Sequence, residues 1–204
     1  MINLAILISG RGSNMKAILN FAATKKIITP TVVISNNYDA AGIKIASKFG
    51  IDTIIIPNIK DRRIYDKKLE KVLLKYNITP KNGLICLAGF MRILGADLTK
   101  KYKNRIMNIH PSLLPAFAGL NAQKQAIEYG AKYSGCTIHF VDAGIDTGPI
   151  ILQAMVKIKD NDNHISLAKK ILRKEHQLYP KAINLFATKK LIIDGKIVKI
   201  INHV

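Results

Sequence analysis

Apolar residues come in short runs separated by longer amphipathic segments, and this alternation predicts strands and helices in turn. The predicted strands cover residues 4–8, 31–35, 53–56, 84–88 and 106–110, and the predicted helices cover residues 15–23, 40–49 and 61–76. The runs are apolar at nearly every position, as parallel strands buried on both faces are. Strands and helices that alternate in this way predict a doubly wound, Rossmann-like α/β fold with three αβα layers.

The second half of the chain adds further elements and ends in a predicted hairpin. We expect helices over residues 122–129 and 164–186, strands over 136–141 and 150–158, and paired strands at 191–193 and 197–198. Asp194-Gly195 supplies the turn between the last two strands. The sequence therefore predicts a mostly parallel central sheet with an antiparallel C-terminal portion, within one domain spanning residues 1–204.

Composition narrows the class of protein. With 204 residues and 49% apolar residues the chain has the size and hydrophobicity of one compact α/β domain. No apolar run approaches the roughly 20 residues that span a bilayer, and the first apolar run reads as a strand rather than a signal peptide. Cys86 and Cys136 lie in strand-like runs without metal-ligand spacing, which indicates reduced core thiols and a cytoplasmic protein.

The net charge of +19 raises nucleic acid as a partner, but its distribution argues otherwise. The lysines are dispersed over helices and loop ends, and aromatic residues do not alternate with them as a base-stacking surface requires. We therefore expect small-molecule substrates, with no membrane and no nucleic-acid partner, and interpret the basicity mostly as background that helps to attract anions. The rival hypothesis, a basic nucleic-acid-binding module, has only the charge in its favour.

The stretch from Arg105 to Pro115 carries the strongest chemical signal. Asn108 and His110 share one face of the predicted strand over residues 106–110, because successive side chains of a strand point to opposite faces. Pro111 ends the strand, so the pair lies at a carboxyl end, where ligands bind in open α/β sheets. Either residue alone could simply satisfy loop hydrogen bonds. An amide donor and an imidazole on the same face favour a catalytic role over loop hydrogen bonding.

A glycine-rich turn follows the first strand and reads Ser9-Gly10-Arg11-Gly12-Ser13-Asn14. A strand, such a turn and a helix aim backbone N–H groups at an anion, although Ser13 or Asn14 could instead cap the helix. The third glycine of a dinucleotide fingerprint is Met15 here, and no Gly-Lys-Ser/Thr follows. No acidic residue ends the second strand either, which argues against an NAD-dependent oxidoreductase. The short turn suits a single phosphate.

One carboxylate stands out in the last predicted helix. Glu175 falls on the apolar stripe of that helix, three residues after Leu172. A carboxylate in this place either reaches the surface or enters a pocket, and the pattern leaves both readings open.

Three blocks of sequence together resemble the folate-dependent formyltransferases, and in particular the branch that acts in purine synthesis. They are Ile8 to Asn14, Ala88 to Leu94 with Asn108 to Pro115, and His139 to Asp142 with Asp146 to Pro149. The resemblance covers nearly the whole chain. Methionyl-tRNA formyltransferases add a C-terminal nucleic-acid domain and formyltetrahydrofolate deformylases an N-terminal regulatory domain. From the length we expect neither.

The resemblance implies a role for particular residues. It assigns residues 1–100 to a nucleotide-binding half and residues 101–204 to a folate-binding and catalytic half. The ribonucleotide would be held by Gly12, Ser13, Asn14 and Glu175, which places Glu175 in a pocket. The folate would lie against Arg62 (or its neighbour Arg63), Met91, Arg92, Ile93, Leu94, Asn108, Asp142 and Asp146.

The resemblance also implies a reaction. The formyl group of 10-formyltetrahydrofolate, the co-substrate, would pass to the amine of 5′-phosphoribosylglycinamide on the route to IMP. Asn108 and His110 would stabilise the oxyanion of a tetrahedral intermediate, and Asp146 would assist proton transfer. No metal is expected, since the sequence has no His/Cys cluster. His139 is expected to be structural, and the protein to be a monomer or a homodimer. A formyltransferase acting on another amine, such as a nucleotide sugar, is the nearest alternative.

Overall fold

The computed structural model describes residues 1–201. Within that range the strands are β1 (Ile2–Ile8), β2 (Ile28–Ser35), β3 (Thr53–Ile55), β4 (Gly83–Leu87), β5 (Ile106–His110), β6 (Tyr133–Phe140), β7 (Ile150–Lys157), β8 (Leu191–Asp194) and β9 (Ile197–Ile200). The helices of the same range are α1 (Ser13–Ala22), α2 (Gly42–Lys48), α3 (Arg62–Lys75), α4 (Ala96–Lys101), α5 (Ala122–Glu128) and α6 (His164–Ala187).

The central sheet has the strand order β3-β2-β1-β4-β5-β6-β7, and β8 and β9 form a separate antiparallel hairpin. Strands β1 to β5 pair in parallel, whereas β6 runs antiparallel to both β5 and β7. The predicted fold class, a mostly parallel sheet with an antiparallel C-terminal portion, is confirmed. The chain moves outward from β1 to β3 and then returns to β4 on the other side of β1. Ligands bind in α/β sheets at the carboxyl edge of such a switch point.

Alternate side chains of each central strand enter separate cores on the two faces of the sheet. On β1, Leu4 and Ile6 pack into the core beneath α1 and α6, and Ala5 and Leu7 pack into the core beneath α3. Tyr179 of α6 is fully buried, and its hydroxyl donates to main-chain carbonyls of β4 and β5. Helices therefore cover both faces of the sheet, as the apolar runs predicted.

Three elements differ from the sequence-based expectation by three residues or more. Helix α4 was not predicted, because its six residues are too few to show a helical period. Strands β2 and β6 begin at Ile28 and Tyr133, about three residues earlier than predicted. Each of these strand ends has one large residue, Ile28 or Tyr133, followed by Thr-Pro or Ser-Gly, so the apolar run on which the prediction relied is interrupted, and pairing with the neighbouring strand extends the strand.

Two further expectations concern the membrane and the thiols. No helix within residues 1–201 is both long enough and apolar enough to cross a bilayer. Both cysteines are free and buried. Burial raises the pKa of each thiol, that of Cys136 to about 12, so both are inert core residues rather than nucleophiles.

Candidate active site

The carboxyl end of β5 brings an amide, two imidazoles and a carboxylate together. Asn108 and His110 lie on one face of β5, while Met107 and Ile109 enter the core on the other. The antiparallel register places His139 of β6 directly opposite Asn108. The loop that follows β6 leaves beside the amino end of β5, where the Val141 N–H bonds to the Ile106 carbonyl, and it folds back over the face that carries Asn108 and His110.

That loop supplies Asp146, whose backbone is held in the left-handed region at a φ of 54°. Its Oδ2 lies 3.1 Å from His110 Nδ1 and accepts a hydrogen bond of 2.9 Å from the Gly119 N–H. Its Oδ1 lies 3.5 Å from Asn108 Nδ2. The structure therefore brings Asn108, His110 and Asp146 into one small volume, although Asp146 is 36 positions from His110 in the chain.

Both ring nitrogens of His110 face acceptors. Nδ1 lies against the Asp146 carboxylate, and Nε2 lies 2.9 Å from the main-chain carbonyl of Phe117. Only the imidazolium carries an N–H on each nitrogen, so it is the form of His110 that satisfies both contacts. The site thus places an imidazole that can donate from both nitrogens, when both carry a proton, beside the Asp146 carboxylate.

His139 plays a different part from His110. Its Nδ1 lies 2.9 Å from the carbonyl of Phe140, which accepts an N–H, so Nε2 is left as the acceptor for Asn108 Nδ2 at 3.3 Å. Burial lowers the pKa of His139, which keeps the ring neutral and suited to accept. His139 therefore orients the Asn108 amide.

The glycine-rich turn after β1 begins helix α1. Gly12 is the residue before the helix, with a φ of 72°, and no side chain caps the helix. The interpretation of Ser13 or Asn14 as a helix cap is therefore wrong. The first helical hydrogen bond runs from the Lys16 N–H to the Gly12 carbonyl, so the preceding amides have no helical acceptor and can bind an anion.

A cavity of about 920 Å³ opens in front of this turn. Gly12, Ser13 and Asn14 line one side, and Glu175 of α6 lines the other. Ile109 and Pro111, the neighbours of His110 in sequence, also reach the cavity, which connects the turn to the end of β5.

Glu175 faces this cavity while remaining mostly buried, at 7% exposure. Its Oε2 accepts a hydrogen bond of 2.7 Å from Asn14 Nδ2, which links α6 to α1. Burial raises the pKa of Glu175, and the Asn14 hydrogen bond and the charge of Arg11 offset only part of that effect.

The segment Met91 to Leu94 follows β4 and divides by exposure. Met91 and Ile93 are exposed, whereas Leu94 lies in the core beneath α3. The Arg92 guanidinium lies 4.1 Å from the centre of the Tyr65 ring and donates to the Ile59 carbonyl. The side chains of Arg92 and Leu94 thus face the protein, and this segment offers Met91, Ile93 and its main chain to a ligand.

A polar network that was not predicted holds this segment. The Ser9 hydroxyl accepts from the Met91 N–H at 2.7 Å and donates to Asn36 Oδ1 at 2.6 Å. Asn36 in turn donates to Asn58, which also accepts from Arg92. The polar ends of β1 and β2 were the available signal, but the partners come together only through the parallel pairing of the strands.

The remaining predicted residues lie farther from the Asn108 amide. Asp142 accepts hydrogen bonds from the Thr147 hydroxyl and the Gly144 N–H, so it shapes the loop that carries Asp146. Arg62 begins α3 and lines a separate cavity together with Arg63 and Gly95, the residue that follows Leu94.

Gly42, at the start of α2, is another residue that sequence reasoning missed. A Cβ on Gly42 would lie 2.6 Å from Ile8 Cδ1 and 3.1 Å from Gly12 Cα. A Cβ on Gly12 would in turn lie 2.6 Å from Gly42 Cα. The two glycines let α2 approach the turn, so Gly12 has a packing role whatever the turn binds.

The described part of the chain contains no group of three or more His, Cys, Asp or Glu side chains that could hold a metal ion. The chemistry that the site can perform with its own groups is hydrogen-bond donation to a developing anion by Asn108 and His110, next to the carboxylate of Asp146.

Comparison with known protein families places the chain in one family. The sequence profile of the family described as formyl transferase matches residues 2–183, and the chain belongs to that family.

Among its relatives is the phosphoribosylglycinamide formyltransferase of Escherichia coli, 39% identical over 192 residues that cover 93% of this chain and 89% of that protein. The trifunctional purine biosynthetic protein adenosine-3 of Drosophila melanogaster is 41% identical over 198 residues, but the chain spans only 14% of its length. The crystal structure of glycinamide ribonucleotide transformylase 1 from Symbiobacterium toebii superposes with a TM-score of 0.94 at 44% identity, covering 99% of this chain and 95% of that one.

Proposed function

We propose that this protein transfers the formyl group of 10-formyltetrahydrofolate to the amine of 5′-phosphoribosylglycinamide in purine biosynthesis. The observation that carries the proposal is the meeting of Asn108, His110 and Asp146 near the end of β5, where Ile109 and Pro111 border the cavity lined by Gly12–Asn14. The names of the relatives in Escherichia coli and Symbiobacterium toebii support the same reaction.

The nucleotide would bind in the cavity between α1 and α6. Its phosphate would accept hydrogen bonds from the free backbone amides at the start of α1 and from the Ser13 hydroxyl, where the helix dipole favours an anion. Glu175 would accept hydrogen bonds from the sugar hydroxyls. The amine would then reach the end of β5 through the part of the cavity lined by Ile109 and Pro111.

The folate would lie across the exposed Met91 and Ile93, with its pterin bonded to main-chain groups of the loop from Asp142 to Asp146. Apolar side chains that frame main-chain donors and acceptors suit a flat heteroaromatic ring. Beyond Ile93 the tail of the folate would extend past Gly95 to Arg62, whose cationic guanidinium is suited to bind the carboxylates of that tail. Arg63 borders the same cavity and is the alternative contact.

In the transfer step the amine attacks the formyl carbon, and negative charge develops on the formyl oxygen. His110 Nε2 lies 2.9 Å from the Phe117 carbonyl, and in the protonated ring the formyl oxygen would take the place of that carbonyl as the acceptor. The Asn108 amide would supply the second donor. Asp146 would stabilise the imidazolium and assist the transfer of the proton from the attacking nitrogen to the folate nitrogen, directly or through a water. The bond between the formyl carbon and that folate nitrogen would then break, and tetrahydrofolate would leave.

The test is a formylation assay that follows the folate absorbance with and without phosphoribosylglycinamide. We expect turnover only when both substrates are present, and none when an amino sugar nucleotide replaces phosphoribosylglycinamide. Asn108→Ala and His110→Ala should each lower kcat by about 10²–10³-fold, the usual effect of losing one oxyanion donor. Turnover that needs no nucleotide, or near-normal kcat in both variants, would refute the proposal.

A further inference from the structure

The Asn14 side chain is not used by the helix that carries it. Asn14 is the second residue of α1, a position where asparagine often bonds to the backbone of the first turn. No side-chain cap is present at this helix, and the Asn14 amide instead crosses to α6.

The contact with Glu175 joins two buried polar groups. Asn14 is 8% exposed and Glu175 is 7% exposed, and their hydrogen bond of 2.7 Å connects positions 161 apart in the chain. A charged acceptor makes this one of the stronger hydrogen bonds, and burial strengthens it further.

The arrangement does not serve the stability of the fold. Asn14 Oδ1 is buried and has no hydrogen-bond partner within the described residues. An unpaired buried carbonyl oxygen and a buried carboxylate each oppose folding. Violations of this kind in an otherwise well-packed core are expected where a site needs a particular geometry.

From these contacts we propose that Asn14 is a positioning residue, which acts on the substrate by fixing the orientation of the Glu175 carboxylate. The Asn14 amide holds Oε2, and Oε1 is left to accept hydrogen bonds from the sugar hydroxyls. This inference rests on the proposed function. It limits the contribution of Asn14 to phosphate binding to its backbone N–H, and it leaves the Ser13 hydroxyl and the Arg11 guanidinium as side chains of this turn that line the cavity and can reach the phosphate.

The first test is a double-mutant cycle on the nucleotide KM. Asn14→Ala and Glu175→Ala should each raise this KM roughly 10- to 100-fold, the effect of a hydrogen bond to a charged group. The double variant should be no worse than the poorer single variant, because Asn14 acts only through Glu175. If the two effects multiply, Asn14 binds the substrate independently and the inference is wrong.

The second test uses pH. In Asn14→Asp two carboxylates stand at hydrogen-bond distance, and such a pair holds one shared proton at low pH. The singly protonated pair has the charge and the hydrogen bond of the wild-type pair. We therefore expect the nucleotide KM of Asn14→Asp, relative to wild type, to be nearly normal at about pH 6 and to rise at least tenfold by about pH 9.

Controls separate this effect from other titrations. Charged or ionisable groups around the pair are Arg11, Lys124, His164, Lys169 and Lys174, and Cys136 on β6. Dividing by the wild-type value at each pH removes their contribution. Asn20→Asp makes the same change at an exposed position of α1, and its KM should follow the wild type at every pH.

The outcomes distinguish the two proposals. A wild-type protein without formylation activity would refute the proposed function. An active wild type with an Asn14→Asp KM that does not depend on pH relative to wild type would overturn the role of Asn14 alone. A reversible recovery at low pH could not come from a misfolded variant, and if Asn14→Asp does not fold, the double-mutant cycle decides.

Discussion

The contact between the Asp146 carboxylate and the His110 imidazole, an ion pair in the proposed mechanism, allows a quantitative prediction for Asp146→Asn. The substitution removes the charge and keeps the shape, because an amide oxygen in place of Oδ2 can still accept from His110 and from the Gly119 N–H. At 3.1 Å two unit charges attract by about 1.3 kcal/mol in water and about 5 kcal/mol at an effective dielectric constant of 20. The two side chains are 5% and 12% exposed, so the higher value is the closer guide.

These energies bound the loss of transition-state stabilisation between about tenfold and about 10⁴-fold. We expect kcat to fall by about 10²–10³-fold, with a nucleotide KM within about threefold of wild type, since Asp146 does not line the nucleotide cavity. Steady-state kinetics with both substrates give the two constants. Asp160→Asn, the same charge change at a fully exposed carboxylate, is the control and should leave kcat unchanged. A folded Asp146→Asn variant with kcat within about threefold of wild type would refute the electrostatic reasoning.

Two further predictions concern stability and the folate segment. Because burial raises the pKa of Glu175, the folded protein holds this proton more tightly than the unfolded chain, and stability falls as pH rises above the ordinary glutamate range. Glu175→Gln should therefore melt at a higher temperature than wild type at about pH 8 and at the same temperature at about pH 4, in thermal unfolding followed by circular dichroism; equal melting at both pH values would contradict it. Ser9→Ala removes the acceptor of the Met91 N–H and should raise the folate KM about fivefold with kcat unchanged, whereas exposed Ser47→Ala should change neither.

Periodicity predicted the strands and helices well where they are long and apolar. β5 begins and ends where the apolar run and Pro111 place it, and α6 ends within one residue of the prediction. The same reasoning failed at α4 and at the first residues of β2 and β6, where pairing and packing with neighbouring elements extend the structure beyond the apolar pattern. The pattern of apolar residues shows only where a segment forms a helix or strand by itself, and in these segments that pattern is short or interrupted.

The candidate site divides in the same way. Residues that are close in sequence, such as Asn108 and His110, could be placed on one face from strand geometry alone. The partners of Asn14 and Ser9 could not, because Glu175 and Asn36 are distant in the chain and their contacts depend on how α6 and β2 pack. The helix-cap interpretation of Asn14 was wrong for this reason: a tertiary partner displaced the local one.

By itself, the sequence of this protein determined the fold class, the edge of the sheet at which its polar chemistry lies, and the glycine turn at the start of the first helix. These follow from side-chain period, from Pro111 and from backbone freedom at Gly12, which are all local properties. The family resemblance implied that Asp146 acts with His110, but only the tertiary structure showed that the two side chains are in contact, that His139 accepts from Asn108, and that Gly42 makes room for the turn. These contacts join residues that are far apart in the sequence, and such residues meet only when the helices pack on the two faces of the sheet.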